Sequence, residues 1–191
     1  MTVFLVLAPY GVFALLMMVT SAAVSLFAGA ALCLGVVAYD IAGGRTIKIL
    51  GVGSVITFTA IGSYVALVDP TLGTVAVKFA VDAGIFLVCL LSIVFRRPFT
   101  LQYALESVDA QTAQYPGFIG ANYTITWAWV GAMVLMMAGN VLLLYVPGLP
   151  LWTGLLVAFA ARNSAVYFTQ WYPEYRKAKL TPPPANAVAT H

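Results

Sequence analysis

The fold is decided by residues 73–106, which read GTVAVKFAVDAGIFLVCLLSIVFRRPFTLQYALE. An apolar run from Ile85 to Phe95 ends in two arginines and a proline, and one carboxylate, Asp82, lies in the apolar segment before it. A helix needs about 20 apolar residues to cross roughly 30 Å of hydrocarbon. The stretch therefore predicts a membrane-spanning helix that carries a charge in its interior and ends at a basic corner.

The whole chain has the composition of a membrane protein. Of its 191 residues, 62% are hydrophobic and 8% are charged, whereas a soluble domain typically carries about 25% charged residues. A surface so poor in charge is not stable in water, and the length leaves room for about five to seven spans. The composition therefore predicts a single all-α domain, a polytopic transmembrane helical bundle, with the lipid bilayer as its solvent.

The apolar segments on either side of residues 73–106 predict six spans. Residues 2–39 contain no charge and would extend about 57 Å as one helix, so we interpret them as two spans. Residues 172–191 form a polar, proline-rich tail, a composition typical of disorder. The transmembrane domain, residues 1–171, is expected to have spans at about 3–19, 22–40, 49–68, 74–95, 123–146 and 151–171.

The positive charges predict the orientation of the bundle. Cytoplasmic loops carry an excess of lysine and arginine. With six spans, no basic residue falls in a loop on one side, and seven fall on the other: Arg45, Lys48, Arg96, Arg97, Arg176, Lys177 and Lys179. We therefore expect both termini, and the tail at 172–191, in the cytoplasm.

Asp82 is the least expected charge in the sequence. It lies about nine residues into the fourth span, roughly 14 Å deep, where an ionised carboxylate is costly unless it is paired. Lys78 lies one helical turn away, and Arg162 lies at a similar depth in the sixth span. Three interpretations stay open: a structural ion pair, a site on an ion or proton pathway, and a neutral carboxylic acid.

Of the two cations, we expect Arg162 to pair with Asp82. Lys78 lies nearer the membrane surface, so its side chain can extend to water. An arginine does not readily lose its proton and therefore needs a buried anion more than a lysine does. Further buried polarity, expected as interhelical hydrogen bonds, comes from Tyr10, Asn140 and Asn163.

Residues 98–109 predict a short helix along the cytoplasmic interface. A proline suits the first turn of a helix, and the apolar and polar residues divide between two faces, as in interfacial helices. Each of the two preceding arginines attracts anionic headgroups by about 1 kcal/mol. The residues expected at the interface are Arg96, Arg97, Pro98, Phe99 and Tyr103. An ordinary amphipathic connector has the same pattern, and that alternative stays open.

The residues that usually carry chemistry are missing from the apolar segments. The single histidine is the last residue, His191, and both cysteines lie within apolar runs. We find no metal-ligand spacing, phosphate loop or nucleophile elbow, and no basic tract that suits nucleic acid. The sequence therefore predicts a protein that is not an enzyme, with no catalytic residue, metal or cofactor.

Three motifs in the first half of the chain have counterparts in a known family. They are Leu7-Ala8-Pro9-Tyr10, then Asp69-Pro70 followed by Lys78 and Leu90-Leu91-Ser92, and finally Arg97-Pro98-Phe99 with Tyr103-Ala104. In these motifs the chain resembles small bacterial inner-membrane proteins of the intracellular septation protein A type, with Arg96 at a position where a glycine would be expected. The resemblance implies a multi-span protein connected with the cell envelope or with division.

Two functions of different classes follow. The first is a non-enzymatic structural or interaction protein of the bacterial envelope, which binds other membrane proteins or a second copy of itself. Small residues at every fourth position of several spans favour it, because they allow helices to approach closely. The alternative is a small permease or channel, proton-linked through Asp82. A packed bundle would favour the first function, whereas a cavity that reaches Asp82 from one side would favour the second.

Overall fold

The computed structural model describes residues 2–146 and 148–180, and in these ranges the chain is all-α, without strands. The connections between helices are short, except for the segment between the fourth helix and the seventh. The helices are α1 (Thr2–Leu16), α2 (Ala22–Ala42), α3 (Ile49–Leu67), α4 (Thr74–Val94), α5 (Phe99–Ala104), α6 (Ala110–Gln114), α7 (Pro116–Tyr145) and α8 (Leu151–Leu180), with a single 3-10 turn, Leu105–Ser107, after α5.

All six segments predicted as spans are helical over most of their length in the described residues. Within this part of the chain, four helices, α2, α3, α4 and α7, are long and apolar enough to cross a membrane. The prediction of an all-helical protein of membrane type is thereby confirmed in outline. Whether α1 and α8 also cross, and which way the bundle faces, belongs to the proposal below.

A glycine follows the end of α2, and an arginine takes the equivalent position after α4. Helix α2 ends at the Gly43-Gly44 pair, where Gly44 has a φ of 67°. Arg96, which follows the end of α4, has a φ of 55°, in the left-handed region where helices commonly place a glycine. The resemblance implies a glycine at position 96, and the backbone conformation at this position is one that favours glycine.

Two long helices extend beyond their predicted bounds. Helix α7 begins at Pro116 rather than near 123, because a proline at the first position of a helix costs no hydrogen bond. Helix α8 continues through Pro173 to Leu180, so the prediction of a disordered tail is wrong for residues 172–180. Stacked rings support this last part, with 4.9 Å between the centroids of Trp171 and Tyr175. Residues 181–191 lie outside the described residues.

Helices that follow one another in the chain also pack against one another. The neighbours are α1 and α2, α2 and α3, α3 and α4, α4 and α7, and α7 and α8, while α5 packs on α7 and α4. The predicted small-residue stripe of α2 is buried at Ser25, Gly29 and Cys33. It faces α3, since a Cβ on Gly29 would lie 3.1 Å from the ring of Phe58.

The close approach of α3 and α4 gives a stability prediction. A Cβ on Gly84 would lie 2.4 Å from Cγ2 of Thr57, and a β-branched side chain cannot turn away freely. We expect Gly84→Ala to lower the free energy of unfolding by about 1–3 kcal/mol, as overpacking does. Gly35→Ala, with nothing within 4 Å, is the matched control. Equal melting temperatures of the two variants in detergent would contradict the prediction.

Candidate functional site

A cavity of about 330 Å³ lies inside the bundle, mainly between α4, α5, α7 and α8. One end is lined by Ser107, which is exposed, and by Pro173. The other end is lined by Asp82 and Arg162. On α7 the lining residues run from Phe118 to Met136, a separation of 18 positions or about 27 Å along the helix. The cavity therefore leads from the α5 end of the bundle towards its middle.

The walls of this cavity are mostly apolar, and a few polar groups converge on it. Helix α7 provides the longest wall and α5 the wall nearest the exposed end. Such a combination is typical of ligand sites, in which apolar surface gives affinity and a few polar groups fix orientation. The apolar and aromatic lining includes Ile85, Phe99, Phe118, Ile125, Trp129, Met133 and Met136, and the polar lining includes Tyr10, Asp82, Thr100, Tyr103, Asn122, Arg162 and Thr169.

Asp82 is held by an amide from the neighbouring helix. Nδ2 of Asn140 donates a hydrogen bond of 2.8 Å to Oδ2 of Asp82. Asn140 is buried, with 4% of its surface exposed, and Asp82 is half-buried. The interhelical hydrogen bond expected of Asn140 is therefore confirmed, and it joins α4 to α7.

The ion pair expected between Asp82 and Arg162 is not formed. Among the described residues, neither Arg162 nor Lys78 lies within 4.0 Å of the Asp82 carboxylate as an ion-pair partner. The reason is the order of the helices: α4 and α8 each pack on α7, and in the described residues they do not pack closely on one another. The adjacent helix supplies Asn140 instead, so Asp82 and Arg162 face one cavity without touching.

The other expected polar contacts differ in outcome. The hydroxyl of Tyr10 on α1 is hydrogen-bonded to Ser54 on α3, which confirms the interhelical bond. Asn163 is exposed and donates to the carbonyl of Phe159 in its own helix, at 2.7 Å. The sequence indicated how far along its helix Asn163 lies, but it did not indicate the direction in which the side chain faces.

The segment after the basic corner packs into the bundle, not along its surface. Pro98, Phe99 and Thr100 are buried. The Phe99 ring centroid lies 6.3 Å from that of Trp129, and Oγ1 of Thr100 donates a 2.8 Å hydrogen bond to the carbonyl of Asn122. The interfacial prediction is therefore wrong for Pro98 and Phe99, because the apolar side of α5 meets α7 and not lipid.

The remaining residues of the predicted interfacial helix also differ from expectation. The helix ends at Ala104 rather than near 109. Arg96 and Arg97 are exposed, as an interfacial position requires. Tyr103 is half-buried and lines the cavity, and burial raises the pKa of its phenol above the ordinary value. The phenol therefore stays protonated and is available as a hydrogen-bond donor.

An ion network that the sequence analysis missed holds α5 in place. Nζ of Lys48 lies 2.8 Å from Oδ2 of Asp40 and 3.0 Å from Oε1 of Glu106, and it is 5.2 Å from the ring centroid of Tyr103. Arg45 also pairs with Asp40, at 3.2 Å. Lys48 is 3% exposed, although the charge count treated it as an ordinary loop cation. The nearby acid Asp40 was a visible signal, but Glu106 is too distant in sequence to be one.

Further hydrogen bonds fix the other walls of the cavity. The backbone N–H of Ile49 donates to Oε1 of Gln102, at 2.8 Å, which ties α5 to the start of α3. Nε1 of Trp129 donates to Oγ1 of Thr169, at 3.0 Å, across the α7–α8 contact. The site is therefore bounded by helices that are joined by polar side chains.

A larger hollow, of about 670 Å³, lies on the outer surface between α3 and α4. Its lining is apolar except for Lys48 and Thr57, and Lys48 is already engaged in ion pairs. This outer groove, lined by residues within 47–61 and 80–95, suits apolar chains. The charged groups that can do chemistry line the inner cavity, which we take as the candidate site.

No group of three or more histidine, cysteine, aspartate or glutamate side chains in the described part of the chain is placed to hold a metal ion. Comparison of the chain with protein-family models, curated proteins and solved structures gave no match. The resemblance to the septation protein A type stays a prediction from the quoted motifs.

Proposed function

We propose that this chain is a small permease or channel of the bacterial inner membrane, with six spans and both termini in the cytoplasm, and that transport is proton-linked through Asp82. The observation that carries the proposal is the cavity that extends from exposed Ser107 to Asp82 and Arg162. A packed bundle without such a cavity would have favoured a structural protein. In the proposed orientation, the exposed end of the cavity faces the cytoplasm.

The position of Asp82 suits a proton-carrying group. An ionisable residue within an apolar span is costly and by default marks a functional site. Here its carboxylate meets an amide donor on one side and the cavity on the other. Taking up a proton would remove the negative charge, weaken the hydrogen bond from Asn140, and so change the contact between α4 and α7.

The proposal is tested by electrophysiology on proteoliposomes adsorbed to a solid-supported membrane. Amino acids, sugars, organic acids and monovalent and divalent cations are applied in turn, and transient currents are recorded. We expect at least one solute class to give a current that protein-free liposomes do not give. If no solute class and no imposed pH gradient gives a current, the permease proposal is overturned.

The proposed topology has its own test. Reporter fusions after Leu72 and Gly148 are expected to report the periplasm, and fusions after Gly44 and Gln111 the cytoplasm, because the seven basic residues outside the predicted spans all fall on one side of a six-span bundle. A fusion after Gly44 is the control for one after Leu72, since only α3 separates them. A cytoplasmic signal after Gly148 would contradict six spans.

The second candidate function, a structural or interaction protein of the envelope, is favoured by the outer groove between α3 and α4. A groove of this kind accepts an apolar helix of another membrane protein or of a second copy. The two candidates separate in the current measurement, because a structural protein gives no solute-dependent current.

A further inference from the structure

We infer that the cavity binds a zwitterionic solute, an amine that also carries a carboxylate and an apolar group, with its ammonium at Asp82 and its carboxylate at Arg162. The inference rests on the proposed permease function and names the class of its solute. Three features of the cavity support it: its two charged side chains, the hydrogen-bonding positions that these side chains leave unoccupied, and its apolar walls.

The two charges face the same space and do not neutralise each other directly. Asp82 and Arg162 are both half-buried and line one cavity, without an ion pair between them. A buried charge without a partner is costly. A solute with a single positive charge would satisfy Asp82 and add to the repulsion at Arg162, and a solute with a single negative charge would do the reverse. A zwitterion satisfies both.

Both side chains have hydrogen-bonding capacity left for a ligand. Asn140 engages Oδ2 of Asp82, which leaves Oδ1 for an ammonium group. A guanidinium presents a planar fork of donors that matches a carboxylate in two parallel hydrogen bonds. Within the described residues no hydrogen bond occupies the guanidinium of Arg162. The site thus offers an acceptor and a fork of donors.

The walls select the size and the polarity of the solute. Ile85, Trp129, Met133 and Met136 line the same cavity as the two charges. The volume of about 330 Å³ lies at the small end of the range of ligand pockets, which is about 300–1,000 Å³. The cavity therefore suits a small amphipathic zwitterion with an aliphatic or aromatic group, such as free leucine or free phenylalanine. It suits neither a neutral sugar nor a nucleotide.

The test measures binding to the full chain in lipid nanodiscs by isothermal titration calorimetry. The probes are free phenylalanine, phenethylamine, which lacks the carboxylate, 3-phenylpropionate, which lacks the amine, and free glycine, which lacks the apolar group. We expect the intact zwitterion to bind at least about tenfold more tightly than each of the three, a difference of about 1.4 kcal/mol.

Variants assign each charge to its end of the solute. Arg162→Gln should remove the preference for phenylalanine over phenethylamine. Asp82→Asn should remove the preference for phenylalanine over 3-phenylpropionate. Arg162→Lys keeps the charge but not the fork, so it should weaken binding less than Arg162→Gln does, and it serves where the glutamine variant fails to fold. The matched controls are Arg96→Gln and Asp109→Asn, which change exposed residues that do not line the cavity and should bind as the wild type does.

Equal or tighter binding of a single-charge analogue, or no binding of any probe, overturns the inference. If another solute class still gives currents, the permease proposal stands and only its solute class is wrong. If neither binding nor any current is found, both fail. If Arg162→Gln and Asp82→Asn each keep the wild-type preferences, the two charges do not bind the solute, and the inference is overturned as well. Where Arg162→Gln fails to fold, wild-type affinity of Arg162→Lys for phenylalanine has the same consequence.

Discussion

Asp82→Asn is expected to abolish the current of the reconstituted protein while leaving the protein folded. Asparagine has the same shape as aspartate and can still form a hydrogen bond with Asn140, so the α4–α7 contact is kept. It cannot exchange a proton or carry a charge, and Asp82 is the only carboxylate in the lining described for the cavity. We expect a loss of current of about 100-fold or more, which corresponds to roughly 2.7 kcal/mol.

Asp109→Asn is the matched control for this experiment. Asp109 is exposed, caps α6 through a 2.7 Å hydrogen bond from the N–H of Thr112, and does not line the cavity. An asparagine also caps helices well, so the same chemical change should leave the current unaltered. Wild-type current in Asp82→Asn, at wild-type protein density, would contradict proton linkage through Asp82.

The helices were predictable because bilayer thickness and local turn signals set their lengths. The bounds of α2, α3 and α4 lie within about two residues of the predicted spans, an ordinary margin for helix ends. Gly43-Gly44 follows α2 and Asp69-Pro70 follows α3, and such residue pairs are typical of turns. The extension of α8 through Pro173 was not predictable, because the rings that stack along it, such as Trp171 on Tyr175, outweigh the composition of the segment.

The partner of Asp82 was not predictable from position along the helices. Depth places Asp82, Asn140 and Arg162 at comparable levels, but only the order in which helices pack decides which two meet. That order is α4, α7, α8, and it puts the amide beside the carboxylate and the guanidinium across the cavity. The sequence therefore identified both charges of the candidate site and misjudged the contact between them.

The prediction of an interfacial helix at residues 98–109 was wrong for a similar reason. An amphipathic pattern states that one face of a helix is apolar, and it does not state whether that face meets lipid or protein. Phe99 meets Trp129, and the amide of Gln102 meets the start of α3. Each contact joins residues at least 30 positions apart in the chain, beyond any local pattern.

Lys48→Met is expected to lower the free energy of unfolding by about 3 kcal/mol. Removing one partner of a buried ion pair leaves the other charge uncompensated, which costs roughly 3–5 kcal/mol. Here Lys48 is buried between Asp40 and Glu106. Arg45 still pairs with Asp40, and Glu106 is partly exposed, so we expect the lower end of that range. The measurement is chemical unfolding in detergent, followed by circular dichroism.

Lys177→Met makes the same substitution at an exposed pair and serves as the control. Lys177 lies 3.6 Å from Glu174, and both side chains are 76% exposed, so the loss should be within about 1 kcal/mol. The double variant Lys48→Met with Glu106→Gln should regain part of the stability, because one stranded charge is then removed. Equal losses in Lys48→Met and Lys177→Met would show that Lys48 does not hold the α2–α3 connection to α5.

Because Tyr103 on α5 lines the cavity, Lys48→Met should also weaken solute binding, although Lys48 itself does not line the cavity.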